Sequence, residues 1–182
     1  IVVVVAYGQI IPKKFLNLSK YGFINIHASL LPKWRGAAPI QRAIMNGDNK
    51  IGVSIMKIEE KLDSGPVLLF KEIELNQSIT HGEIEKELSV LGADLLFEGI
   101  KIIKSGSFKF VNQTHSNATY AKKIDKIETK INWNLDANKV LSKIHGLSPK
   151  PGAWFEYENE RFKILRAEMT SIKGTSGTVL DN

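Results

Sequence analysis

The chain has 182 residues, and 25 lysines and arginines against 19 aspartates and glutamates leave a net charge of +6. With 43% hydrophobic residues it can bury a core, which excludes a disordered tail, and the absence of cysteine excludes a disulfide scaffold, a thiolate metal site and a cysteine nucleophile. No apolar stretch approaches the ~18–20 residues of a membrane span, and the positive balance admits a polyanionic partner without requiring one.

The chain opens on Ile1-Val2-Val3-Val4-Val5-Ala6-Tyr7-Gly8, a β-branched run that predicts a strand buried on both faces in a parallel sheet. A short loop or single helical turn follows at Ile11 to Leu16. Phe23 to His27 reads as a second strand, with Phe23, Asn25 and His27 on one face and Ile24 and Ile26 on the other. Pro39 suits the first turn of a helix that carries Ile40, Ala43 and Ile44 and ends at Gly47. Residues 51–58 and 67–75 predict two strands joined across Lys61-Leu62-Asp63-Ser64-Gly65-Pro66. Thr80-His81-Gly82-Glu83 is a capping-box pattern opening a helix with Ile84, Leu88, Leu91 and Leu95 at helical spacing. Asp136 caps a shorter helix ending near Gly146, and residues 154–165 predict a hairpin turning near Asn159. Strands alternating with helices give an α/β class with a mostly parallel sheet. The uncapped start, and a final segment that stops on the approach to a strand, read as an internal piece of a longer protein.

Asn25 and His27 share a face at the end of an apolar strand, where open α/β sheets place their ligands. Taken alone, the pair reads first as a satisfied core histidine with its partner, and the segment that follows turns the reading toward a site. The segment Ala28-Ser29-Leu30-Leu31-Pro32-Lys33-Trp34-Arg35-Gly36-Ala37-Ala38 is neither strand, helix nor minimal turn, and suits a loop shaped around a ligand. Asp63 stands in a Gly/Pro-bounded turn, where a carboxylate has no packing role, although aspartate is also an ordinary turn residue.

The run from Asn25 through Gln41, with its Asn-x-His, Leu-Leu-Pro and Trp-Arg-Gly-Ala-Ala-Pro-Ile-Gln elements, resembles the signature of the methionyl-tRNA formyltransferases. Leu62-Asp63-Ser64-Gly65 resembles the family's second block, in which Thr usually stands at the Ser64 position. Val3 to Gly8, Thr119 to Lys123, Ile131 to Trp133 and Pro151 to Trp154 also match in order. The resemblance implies a Rossmann-like formyltransferase domain, truncated on its N-terminal side, in which a formyl group passes from 10-formyltetrahydrofolate to the α-amino group of methionyl initiator tRNA. Related enzymes acting on an amino sugar or a nucleotide intermediate share the shorter motifs, and a non-catalytic folate- or RNA-binding relic is the remaining alternative.

By the same resemblance, residues 1–121 are the C-terminal part of the catalytic domain, 122–168 its end and a linker region, and 169–182 the start of a C-terminal tRNA-binding β-barrel. Asn25, His27 and Asp63 are the implied catalytic triplet. Attack of the amine on the formyl carbon puts negative charge on oxygen, to which Asn25 and His27 can donate, while Asp63 accepts a proton from the amine. Ser29, Leu30, Leu31, Pro32 and Leu62 are the implied folate contacts, and Lys33, Arg35 and Arg42 the implied phosphate contacts. Trp34 reads as well for packing as for base stacking. His81, His115 and His145 are given no function. The resemblance calls for no metal and no membrane, and for a cytoplasmic protein that is monomeric at full length.

Overall fold

A computed structural model describes residues 1–180; Asp181 and Asn182 lie outside the described residues. Its centre is a four-stranded sheet in the order β1 (Val2–Val4), β2 (Phe23–His27), β4 (Lys50–Lys57), β5 (Val67–Glu74). The short helix α1 (Lys13–Leu16) lies in the crossover between β1 and β2, which pair in parallel with Val4 opposite Asn25. The α/β, Rossmann-like class stands, but the expectation of a mostly parallel sheet is corrected, because the pairings of β2 with β4 and of β4 with β5 are antiparallel. For β4 and β5 the physical reason is the connection: a loop with no helix to carry the chain back lets them close as a hairpin.

The position of β1 also differs from expectation. Among the described residues it is an edge strand paired with β2 alone, and Val2 and Val3 are exposed rather than buried on both faces.

Helix α2 (Pro39–Asn46) starts with Pro39 in its first turn and ends at Gly47, whose φ of +79° is the left-handed C-cap the sequence predicts. Helix α3 (His81–Ser105) lies across β4 and β5 and buries Ile84, Leu88, Leu95 and Ile103. Both the backbone N–H and the hydroxyl of Thr80 donate to Glu83 Oε2, at 2.8 and 2.7 Å, fixing the entry to this helix. The main core gathers Ile24 from β2, Ile40, Ala43 and Ile44 from α2, Ile51, Val53 and Ile55 from β4, and the buried face of α3.

A second, smaller core joins Ile131, Ile144 and Leu147 with Ala153, bringing helix α4 (Ala137–Leu147) against the hairpin of β7 (Ala153–Tyr157) and β8 (Glu160–Ile164). The hairpin turns through Glu158 and Asn159, both at positive φ, as a two-residue loop matched to strand twist requires. His145 is buried and bridges the carbonyls of Gln77 and Ala167 at 2.8 and 3.0 Å, which ties the two cores together. Residues 165–180 carry no strand, so the first strand expected of a barrel is not formed within the described part of 169–182.

Candidate active site

Strand β2 ends at His27 because the backbone leaves the sheet there for the loop over 28–38. That loop is anchored from below by Ser54 of β4, whose hydroxyl donates to Ser29 O at 2.7 Å and accepts from Leu31 N–H at 3.2 Å. It returns through β3 (Arg35–Gly36), which pairs in parallel with β6 (Tyr120–Ala121). Gly36 sits at φ +118°, and a Cβ there would stand 2.7 Å from Ala121 O, so only glycine fits.

Asn25, His27 and Asp63, distant in sequence, line one cavity of about 650 Å³. His27 is 5% exposed, and its Nε2 lies 2.9 Å from Trp34 O. A carbonyl can only accept, so Nε2 carries the hydrogen, and Nδ1 is the edge turned to Asp63, 3.8 Å from Oδ2. Asp63 Oδ2 accepts from Gly36 N–H at 2.8 Å, so the loop after His27 positions the carboxylate as well as the imidazole. Asp63 takes φ +45°, a sparsely populated region that aspartate tolerates better than most residues and that concentrates at functional sites. Gly65 follows because a Cβ there would collide with Lys57 O. Asn25, opposite Met56 in the sheet, is half-buried on the same cavity wall.

Of the residues expected to hold folate, Leu62 lines this cavity and the other four do not. Ser29 is 1% exposed, with its hydroxyl donated to Lys33 O at 2.6 Å, and Leu30 packs over Gly52. Ser29 and Leu30 therefore brace the loop that walls the site. The sequence reasoning missed the opposite wall, Tyr7, Gly8, Gln9, Ile10 and Ile11, together with His81 and Glu85 of α3. The signal was available in part: Gly8, at φ +71°, stands four positions beyond the end of the first strand, and ligands sit beyond strand ends. Burial lowers the pKa of His81, and its Nδ1 is the one buried side-chain polar atom without a hydrogen-bond partner among the described residues. An apolar cavity with few oriented polar groups, one of them unsatisfied, fits a flat heteroaromatic ligand of folate's kind.

Two of the three residues expected to contact phosphate have partners inside the fold. Arg35 is 3% exposed, and its Nε and Nη2 donate to Gln113 Oε1 at 3.1 and 2.7 Å. Arg42 holds Glu128 in a bidentate pair, both contacts at 2.8 Å, and donates to the carbonyls of Lys122 and Lys123. Both guanidinium groups are spent inside the fold, where sequence spacing alone made them look like free surface charge. Lys33 is exposed. Trp34 packs against the main core and donates Nε1–H to Asp48 at 2.8 Å, which settles it as a packing residue.

Residues 1–100 match the family described as formyl transferase, and residues 123–182 match the formyl transferase C-terminal domain. The chain is 52% identical over 182 residues to the methionyl-tRNA formyltransferase of Pelagibacter ubique (strain HTCC1062), covering all of this chain and 59% of that protein. It is 46% identical over 186 residues to the methionyl-tRNA formyltransferase of Brucella ovis, covering 100% of this chain and 61% of that one. The chain thus spans about 59–61% of the length of these curated relatives. Among solved structures, HypX from Aquifex aeolicus in complex with tetrahydrofolic acid superposes with a TM-score of 0.81 at 22% identity, over 98% of this chain and 31% of that one. WlaRD, a sugar 3N-formyl transferase solved in the presence of dTDP and 5-N-formyl-THF, gives 0.78 at 20% identity, over 93% and 61% of the two chains. At these identities the structural likeness shows the fold alone.

Proposed function

The chain belongs to the formyl transferase family, and from that premise we propose that the protein carrying it moves a formyl group from 10-formyltetrahydrofolate to the α-amino group of methionyl initiator tRNA. The observation that carries the reading is the convergence of Asn25, His27 and Asp63 on one cavity, with the imidazole Nδ1 3.8 Å from the carboxylate. The 52% identity to a methionyl-tRNA formyltransferase across the whole chain supports the tRNA substrate over a sugar.

The folate supplies an acyl carbon whose bond to folate nitrogen breaks as the bond to the amine nitrogen forms. Asn25, through its amide, and His27, as an imidazolium whose Nε2–H stays on Trp34 O while Nδ1–H is free, donate hydrogen bonds to the oxygen on which negative charge develops. Asp63 accepts the proton the amine gives up, directly or through a water, and that proton replaces the lost acyl group on the leaving nitrogen. Leu62 and the Tyr7–Ile11 wall hold the ring system. Lys33 contacts acceptor-stem phosphate. We further propose a cytoplasmic, monomeric full-length protein in which residues 1–121 belong to the catalytic domain, 122–168 to its end and linker, and 169–182 to the start of a tRNA-binding barrel. Among the described residues no helix is long and apolar enough to cross a membrane.

The test is formyl transfer by the full-length protein to methionyl initiator tRNA and, separately, to a dTDP-amino sugar. Asp63→Asn and His27→Ala are each expected to lose about 10²–10⁴ in kcat on the tRNA while folate affinity stays within a few-fold. Rates within about threefold of wild type in both variants would show the triplet to be structural. Activity on the sugar but not on the tRNA would keep the chemistry and overturn the substrate.

A further inference from the structure

We propose that Arg35 and Gln113 are positioning residues that hold Asp63 in register with His27; the proposal rests on the reading of Asp63 as the proton acceptor. Gln113 comes from the segment between α3 and β6 and is buried beneath the Leu62–Gly65 turn. Its Nε2 donates to Asp63 O at 2.9 Å and to Gly65 O at 2.6 Å, so one amide clamps both ends of the turn around Ser64. Its Oε1 accepts twice from Arg35. This arrangement leaves the amide a single orientation, because the reverse one would set NH₂ against a guanidinium and oxygen against two carbonyls.

Arg35 is an expensive way to orient an amide. It is 3% exposed, and among the described residues no carboxylate lies within ion-pair distance of it. Nη2 also meets His115 Nδ1 at 2.9 Å. A buried cation with neutral partners polarises them, and the Gln113 N–H groups become stronger donors to the two carbonyls. The connection then closes on itself. The Arg35 side chain fixes Gln113, Gln113 fixes the backbone on either side of Ser64, Asp63 projects from that backbone at φ +45°, and its carboxylate accepts from the N–H of Gly36, the neighbour of Arg35 in β3. A backbone held at positive φ by an external clamp is one whose side chain swings when the clamp is removed. The ring ties the carboxylate to the strand that follows the His27 loop, so the His27–Asp63 separation is set from both sides.

The variants that test this are Gln113→Glu and Gln113→Ala, in the full-length protein. Gln113→Glu keeps an acceptor for Arg35 and adds charge to the pair, yet leaves no donor for the carbonyls of Asp63 and Gly65. A purely structural Arg35–Gln113 contact would tolerate it. Positioning predicts that either variant, once folded, loses about 10- to 100-fold in kcat with KM for the folate within about threefold. It also predicts that the Gly36 amide, which reports the carboxylate directly, exchanges its hydrogen about tenfold faster than in wild type. Gln113→Glu covers the case in which the alanine variant does not fold. Wild-type kcat in a folded variant, or a loss of kcat with Gly36 exchange unchanged, overturns the proposal. If Asp63→Asn transfers formyl groups as fast as wild type, the reading of Asp63 fails instead, and Gly36 exchange still decides whether the clamp exists.

Discussion

Replacing Arg42 with alanine separates its two possible occupations, a partner for substrate phosphate and a staple inside the fold. The guanidinium joins α2 to the segment before α4 through two 2.8 Å contacts to Glu128 and further bonds to Lys122 O at 3.0 Å and Lys123 O at 3.2 Å. Breaking a fully buried pair costs about 3–5 kcal/mol and an exposed one about 0–1 kcal/mol. The side chains of Arg42 and Glu128 are 19% and 30% exposed, so solvent screens the pair in part, and about 2–3 kcal/mol is expected. The hydrogen bond from Arg42 is also the first cause of the lowered Glu128 pKa, which should return toward its ordinary value in the variant. Urea unfolding of the full-length protein gives the stability change, and Trp154 is a local reporter because its indole N–H bonds Thr129 Oγ1, next to Glu128. The salt dependence of kcat/KM for the tRNA should be unchanged. A stability loss under about 0.5 kcal/mol, together with a salt slope shallower by about 0.7–0.9, would mean that Arg42 neutralises a phosphate and that the staple reading is wrong.

Gly36→Ala forces a Cβ to 2.7 Å from Ala121 O at φ +118° and shifts the amide that binds Asp63; it should cost about 1–3 kcal/mol in denaturant unfolding and lower kcat as well. Wild-type stability would show that β3 and β6 separate freely. Glu83, held by the backbone N–H of Thr80 first, then its hydroxyl and Arg166, has its pKa lowered from 4.5 to about 2. A depressed carboxylate pKa stabilises the fold above the unfolded value, so this contribution is full above about pH 4.5 and disappears as pH falls toward about 2. Unfolding followed across that window should be flatter with pH in Glu83→Gln than in wild type, and parallel curves would refute the assignment.

Local chemistry was legible wherever short-range rules decide the outcome. The Thr80–Glu83 box, Pro39 and Gly47 bracketing α2, and the turn at Asn159 are each set by residues within a few positions of one another, so spacing alone predicts them. The Asn25–His27 face followed from the strand period of two, and the link to Asp63 from the family resemblance. The direction of β4 was not legible, because strand pairing depends on which strands meet, and an apolar run pairs equally well either way. The fate of the cations was decided only in three dimensions. Lys33, Arg35 and Arg42 look alike in a basic stretch, yet Glu128, 86 positions beyond Arg42, and Gln113, 78 beyond Arg35, remove two of them from the surface. By itself the sequence determined the α/β class, both ends of α2 and the start of α3, since these rest on periodicity and caps, while the residues proposed to carry formyl transfer were named by the family resemblance. Only the tertiary structure decided which nitrogen of His27 turns to Asp63, which amide orients that carboxylate and which charges stay free, because each depends on a partner brought near by packing.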